Sequence, residues 1–189
     1  RDRADLVHAE VYLCMRVFLC RFASQHLTGF WPIILTEMVR ILAQAKVDLP
    51  ADKSDRLQLV FSVVKLADFL ITLQTDDFQI HQWLLITDTP DATNPASSYM
   101  ADSLLDCLAK FVSECQRELV FDANDSLERA QQRRPLLQMS SVATISTLQP
   151  FFATASRAFY QCDFHATLDW DNINACLLHD LFEPIHTNT

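Results

Sequence analysis

The sequence predicts an all-α protein, and three observations carry that prediction. Apolar residues recur three and four positions apart along most of the chain, which is the spacing of a helix face. Alternation of apolar and polar residues, typical of strands, nowhere reaches a useful length. The 189 residues include a single glycine, Gly29, whereas hairpin-rich β folds and phosphate-binding loops need several. We expect about six or seven helices packed as antiparallel hairpins, as a bundle or a HEAT- or armadillo-like array.

The length and composition favour one domain with a proper core. Half of the residues are hydrophobic, and a chain of this size can bury roughly 70% of its unfolded surface. We therefore interpret residues 1–189 as a single helical domain. The chain begins with Arg1 and lacks a signal-peptide pattern, so we expect it to be a C-terminal fragment of a much larger protein.

The first three helices are predicted from periodicity and capping residues. Leu6 to Phe22 carries one apolar stripe, made of Val7, Val11, Cys14, Met15, Phe18 and Phe22. Thr28 is a candidate cap for a second helix, with Pro32 in its first turn and an end near Ala45. A third helix starts at Ser54 or Asp55 and runs to about Leu73. Because it is apolar on nearly every side, we expect it to be central and buried.

The middle of the chain alternates helices with polar connections. Asp76 or Asp77 is expected to cap a short helix that extends to about Trp83. The segment from Thr87 to Ser98 reads as a loop, because it holds two prolines and many small polar residues. An amphipathic helix is predicted from about Met100 to Phe121, and the segment from Asp122 to Pro135 is polar.

Two further helices are expected near the C-terminal end. One should fill Leu136 to Tyr160, bent or reset at Pro150. The 22 residues from Pro135 to Ser156 carry no charge, but their many polar side chains favour a buried helix over a membrane span. Asp169 is the predicted N-cap of the last helix, which Pro184 ends. Four residues should share one face of that helix: Ile173, Leu177, Leu181 and Phe182.

Two Cys–His pairs are the pattern closest to a metal site. Cys162 precedes His165 by three positions, and Cys176 precedes His179 by the same spacing. Two cysteines and two histidines can bind zinc, but this spacing is much less specific than a C-x2-C pair. Buried free thiols are the favoured alternative, so we expect no metal and no cofactor. No nucleophile motif is present, and we expect the protein not to be an enzyme.

Charge limits the partners that the chain can bind. The formal net charge of −9 opposes nucleic acid and broad adsorption to anionic lipid. A lipid headgroup contact would need a local basic patch, and the candidates are Lys110, Arg117, Arg129, Arg133 and Arg134. A solvated loop edge is the alternative for the three closely spaced arginines.

Heptad spacing marks a candidate dimer seam on the amphipathic helix. Its positions are Leu105, Leu108, Val112 and Leu119. This run is little longer than two heptads, and a helix that faces the core of its own chain gives the same pattern.

Three segments in order resemble the C-terminal region of the Dopey family. Residues 25–39 (QHLTGFWPIILTEMV) resemble the family's HLTSLWP…TEL segment. Residues 67–83 resemble its LLDL…FQ-x-x-x-W stretch, and residues 148–159 resemble its LLPFF…VF helix. The resemblance covers most of the chain, from about residue 6 to residue 183.

The resemblance implies a role rather than a reaction. Dopey proteins are large, non-enzymatic, peripheral scaffolds of Golgi and endosomal membranes in vesicle trafficking. Their implied partners are a large Sec7-related scaffold protein and an aminophospholipid flippase. The resemblance also implies zipper-like repeats, hence a homodimer, and phosphatidylinositol 4-phosphate recognition. We expect an interaction and dimerisation module at the cytoplasmic face of these membranes, with a phosphoinositide-binding module as the alternative.

Overall fold

The computed structural model describes residues 2–73, 78, 104–116, 136–152 and 169–182. These residues form five helices of three turns or more, and no strand occurs among them. The helices are α1 (Asp2–Arg21), α2 (Trp31–Val47), α3 (Asp55–Leu73), α4 (Leu104–Gln116) and α5 (Trp170–Phe182). The all-α prediction is confirmed. Short 3-10 turns cover Ser24–His26, Thr28–Phe30, Leu136–Gln138 and Ile145–Leu148.

Helix α3 is the centre of the domain, as its apolar character on nearly every side predicts. Every residue from Leu57 to Ile71 is buried. Helices α1, α2 and the Leu136–Gln138 turn pack against it, and α4 packs against α2. The Ser54 hydroxyl accepts a hydrogen bond from the backbone N–H of Leu57 at 3.1 Å. Ser54 is therefore the N-cap that fixes where this helix begins.

Helix α2 begins three residues later than its predicted cap. Thr28 opens a 3-10 turn, and the helix starts at Trp31 with Pro32 in the first turn. The prediction for Pro32 is confirmed, while that for Thr28 as the cap is wrong. The indole of Trp31 is buried and lies 6.4 Å from the ring of Phe78. Tight burial of this aromatic pair fixes the entry of the chain into α2.

The segment after Leu136 corrects the prediction of a long helix. Residues 136–148 form two short 3-10 turns joined by irregular backbone, and α-helix resumes only at 149–152. Pro150 is thus tolerated because it lies at a helix start, where its missing N–H costs nothing. The continuation to Tyr160 lies outside the described residues, as do the predicted loop Thr87–Ser98 and the polar segment up to Pro135.

Helix α5 begins where its cap predicts. The backbone N–H of Asn172 donates to Asp169 Oδ1 at 3.0 Å, which confirms Asp169 as the N-cap. Ile173 and Leu177 are buried against Phe69 and Leu137. Leu181 and Phe182 are exposed, so only half of the predicted face is buried.

Candidate functional site: a buried charge cluster and an exposed helix face

Helix α3 carries a buried polar stripe along its otherwise apolar surface. Its members are Gln58, Ser62, Lys65 and Asp68, which lie three or four residues apart and so on one face. We call this stripe the polar seam. All four residues are at most 9% exposed. Polar groups at such depth need hydrogen-bond partners, because an unsatisfied group there costs about 1–3 kcal/mol.

Three members of the polar seam form hydrogen bonds with backbone groups of residues 136–142. Gln58 Nε2 donates to the carbonyl of Val142 at 3.0 Å, and Lys65 Nζ donates to the carbonyl of Met139 at 2.7 Å. The backbone N–H of Leu136 donates to Asp68 Oδ2 at 3.3 Å. These bonds satisfy backbone groups of a segment that is not α-helical. The polar seam therefore stabilises the irregular backbone of residues 136–142.

Three charged side chains meet at the middle of the seam. Asp180 Oδ2 accepts hydrogen bonds from Arg16 Nη1, at 2.6 Å, and from Lys65 Nζ. The side chains of Arg16, Lys65 and Asp180 are 3%, 2% and 9% exposed. We call these three residues the charge cluster. It joins α1, α3 and α5, and its two cations share one carboxylate.

Burial changes the acidity of Lys65. The pKa of the ammonium is lowered from its ordinary 10.5 to about 8; removal from water is the largest cause, and the charge of Arg16 acts in the same direction. The hydrogen bond and the charge of Asp180 oppose this shift. The direction shows that Asp180 compensates only part of the cost of two buried cations.

A small cleft opens beside the charge cluster. It offers about 30 Å³ of free space, enough for one or two water molecules. Its polar lining comes from Glu10, Arg16, Ser62, Lys65, Ser140 and Asp180. Arg16 lines this cleft, and its Nε is buried without a hydrogen-bond partner in the part of the chain that the structure describes.

The second candidate site is the outer face of α1 and its end. The apolar stripe of this helix is exposed rather than buried: Val7 is 61% exposed, Val11 51%, Phe18 42% and Phe22 52%. Cys14 is exposed between them. The rings of Phe18 and Phe22 stack edge to face at 5.2 Å. We call these five residues the α1 outer face. The inner face, which contacts the core, uses Ala9, Tyr12, Leu13 and Arg16 instead.

The predicted dimer seam has its described residues in the core. Leu105 and Leu108 are fully buried and Val112 is 1% exposed, and all three belong to the main hydrophobic cluster. Their apolar surface is already used within the chain, so it is not offered to a second copy. Leu119 lies outside the described residues.

The other predicted site residues are described only in part. Lys110 is exposed on α4, whereas Arg117, Arg129, Arg133 and Arg134 lie outside the described residues. Of the two Cys–His pairs, Cys176 is half-buried and His179 exposed on α5. Cys162 and His165 lie outside the described residues. Within the described ranges, no group of three His, Cys, Asp or Glu side chains could hold a metal ion.

Sequence reasoning missed the charge cluster, although one signal for it exists. Lys65 interrupts a helix that is apolar on nearly every side, and a lysine there needs a buried partner. The sequence alone does not identify that partner as Asp180, because the two residues are 115 positions apart. It gives no signal for Arg16 either.

Comparison with known proteins identifies the family. The family model described as "DOP1 C-terminal" matches residues 2–164. The chain belongs to the DOP1 family. This match confirms the Dopey resemblance of the three sequence segments. The matched range includes the α1 outer face and two residues of the charge cluster, Arg16 and Lys65, but not Asp180.

Similar proteins carry the same family name. Protein DOP1B of Xenopus laevis is 25% identical over 183 residues, which cover 80% of this chain. Protein DOP1B of Mus musculus is 27% identical over 191 residues, 83% of the chain. Protein dop1 of Emericella nidulans is 32% identical over 106 residues, 54% of the chain. None of these names denotes an enzymatic activity.

The aligned part is a small fraction of each relative. The chain spans about 8% of the length of the frog and mouse DOP1B proteins and 6% of the fungal dop1. No solved structure matches the chain. Among the helices of the described residues, none combines the length and the apolar character needed to cross a bilayer.

Proposed function

We propose that this domain is a non-enzymatic protein-interaction module of a peripheral membrane protein in vesicle trafficking at the Golgi and endosomes. Membership of the DOP1 family supports a trafficking role. The observation that carries the interaction role is the α1 outer face, because four of its five side chains are large, apolar and 42% exposed or more. Contiguous exposed apolar surface of this kind is typical of protein-binding sites.

A second copy of the chain is the occupant that we propose for the α1 outer face. Val7, Val11, Cys14 and Phe18 follow one another at spacings of four, three and four residues. This is the heptad spacing at which two helices interlock side chains. The helix is 20 residues long, or about 30 Å, so two copies could pair over several turns. Because Leu105, Leu108 and Val112 are buried, the α1 outer face is the better candidate for a dimer surface.

Sedimentation of matched variants tests this proposal. We expect the wild type to sediment at twice the chain mass at tens of micromolar. Changing Val11 and Phe18 to Glu places charge in the seam and should yield a folded monomer, since both positions are exposed. The matched control changes Ile33 and Val47 to Glu, which are exposed apolar residues of α2, and should remain a dimer.

Two results would contradict the proposed dimer. If the wild type sediments with the mass of one chain, self-association under these conditions is excluded. Equal dissociation by the α1 and the α2 variants would mean that the outer face has no special role. Circular dichroism of each variant shows that loss of the dimer is not loss of the fold.

The wider role rests on the family resemblance. We propose a large Sec7-related scaffold protein and an aminophospholipid flippase as partners of the whole protein, at the cytoplasmic face of Golgi and endosomal membranes. Binding of phosphatidylinositol 4-phosphate is the alternative function. The exposure of Lys110 on α4 is compatible with headgroup contact, and the liposome experiment in the Discussion tests it.

A further inference from the structure

Helix α5 buries little of its own surface. Of its 13 residues, Ile173 and Leu177 are buried, whereas six residues are buried in α2 and fifteen in α3. The two side chains pack with Phe69 and Leu137 in a hydrophobic cluster that is distinct from the main one. Elements with few buried apolar contacts open locally at a lower free energy than the rest of a fold. We therefore expect α5 to detach more readily than α2 or α3.

The surface beneath α5 combines apolar side chains with two cations. Phe69 of α3 and Leu137 pack against the apolar anchors of α5. Arg16 and Lys65 both donate hydrogen bonds to Asp180 Oδ2, and the bond from Arg16 Nη1 measures 2.6 Å. We call Arg16, Lys65, Phe69 and Leu137 the α5 docking surface.

Bonds that do not involve α5 hold this surface in place. Lys65 Nζ also donates to the carbonyl of Met139 at 2.7 Å. Asp68 Oδ2 accepts a hydrogen bond from the backbone N–H of Leu136 at 3.3 Å, and this bond joins the chain neighbours of the two apolar surface residues. We therefore expect the surface to keep its arrangement when α5 leaves, while its two cations regain contact with water.

The contacts of α5 define the kind of helix that the surface accepts. Ile173, Leu177 and Asp180 lie at positions i, i+4 and i+7 of one helix face, which is the spacing of anchors in helix-in-groove recognition. The two apolar anchors supply burial. The carboxylate supplies charge-assisted hydrogen bonds to both cations, and these bonds fix the register of the helix.

We propose that the α5 docking surface binds amphipathic helices of partner proteins, and that α5 is an autoinhibitory occupant which such a partner displaces. The partner helix carries two apolar residues four positions apart and an aspartate three positions later. The family model covers the four surface residues but not α5. This second interaction site is separate from the dimer surface, because it uses the inner rather than the outer face of α1.

Hydrogen exchange of the intact chain measures whether α5 detaches. In the wild type, amides of α5 should exchange about a hundredfold faster than those of α3, because they open without global unfolding. Asp180→Lys places a third cation against Arg16 and Lys65 and should accelerate exchange in α5 by roughly a further tenfold, while α3 keeps its protection. The matched control, Asp171→Lys, makes the same charge change on an exposed residue of the same helix and should leave α5 docked.

A peptide of residues 169–182, labelled at its C-terminus, tests binding in trans by fluorescence anisotropy. It should bind the Asp180→Lys chain, whose own α5 no longer holds the docking surface. Its affinity for the wild type should be lower by about tenfold or more, because the tethered α5 competes at an effective concentration of about 1 mM. The same peptide carrying Asp180→Lys should bind neither chain.

Three kinds of result would overturn the proposal. If α5 of the wild type exchanges as slowly as α3, or if Asp180→Lys unfolds the whole chain, α5 is an integral part of the core. If the folded variant does not bind the wild-type peptide, the surface does not accept a helix in trans. If the peptide binds the wild type and the variant equally, it binds at another place on the chain.

Discussion

Substitution of Lys65 by Met should remove a pH dependence that the wild type carries. Methionine has a similar length and no charge, so the substitution fills the same space beside the ring of Phe61, which lies 5.3 Å from Lys65 Nζ. The Arg16–Asp180 pair remains and becomes electrically balanced. The variant thus isolates what the buried ammonium does to stability as pH changes.

The magnitude follows from the pKa of Lys65, which is about 8 in the folded chain against an ordinary 10.5. Between these values the unfolded chain binds more protons than the folded one, so stability rises with pH. This contribution of Lys65 to stability is fully present above the pKa of Lys65 in the unfolded chain. It is lost as the pH falls through the pKa of Lys65 in the folded chain. From pH 7 to pH 9.5 the wild type should gain about 2 kcal/mol from this group.

Other groups titrate in the same range, so the assay measures a difference. Burial raises the pKa of Tyr12 to about 12 and raises that of the Cys20 and Cys176 thiols, which makes the fold lose stability at alkaline pH. These contributions are largely common to both proteins. Urea unfolding of the wild type and of Lys65→Met is measured at pH 7 and at pH 9.5. The difference between their free energies of unfolding at each pH isolates the contribution of Lys65.

A constant difference between the two proteins would refute the reasoning. It would mean that Lys65 keeps its proton throughout this range, and hence that the charge cluster does not depress its pKa. A difference that changes in the opposite sense would mean that Asp180 outweighs the desolvation of the ammonium.

Three further predictions concern the core, a helix cap and lipid. Phe61→Ala should cost roughly 3–5 kcal/mol in urea unfolding, because the ring is 97% buried; a loss under about 1 kcal/mol would contradict its place in the core. Asp169→Ala should cost about 1 kcal/mol while Asp169→Asn costs little, since Asn also caps; equal losses would mean that the cap is not the cause. If the alternative function holds, the wild type should float with phosphatidylinositol 4-phosphate liposomes at low salt, less so at high salt, and less after charge reversal of the basic candidates. If charge reversal leaves flotation unchanged, the basic candidates do not contact the headgroup. These candidates are Lys110, Arg117, Arg129, Arg133 and Arg134.

The helices were predictable where local signals and tertiary packing agree. Helix α3 is apolar on most sides and begins at a serine whose hydroxyl caps it, so periodicity and capping both identify it. Asp169 identifies the start of α5 in the same way. Pro32 marks the first turn of α2 because proline lacks an N–H there.

Residues 136–148 were not predictable, because their conformation depends on distant side chains. Their uncharged, apolar composition suits a buried helix when the segment is considered alone. In the fold, Gln58, Lys65 and Asp68 bond its backbone groups, from positions 68 to 84 residues away. Such long-range pairing leaves no periodic trace in the segment itself, so local sequence patterns cannot reveal it.

The faces of α1 show why an apolar stripe does not by itself locate a core. The inner face buries Arg16, which sequence reasoning would place outside, and it can do so only because Asp180 supplies a partner. The more hydrophobic stripe, with Val11 and Phe18, is left facing solvent. Burial in the described core therefore follows the ion pair rather than the more hydrophobic stripe, because Arg16 and Asp180 satisfy one another inside. The exposed stripe is the surface on which the proposed dimer depends, and the Val11 and Phe18 variants test it.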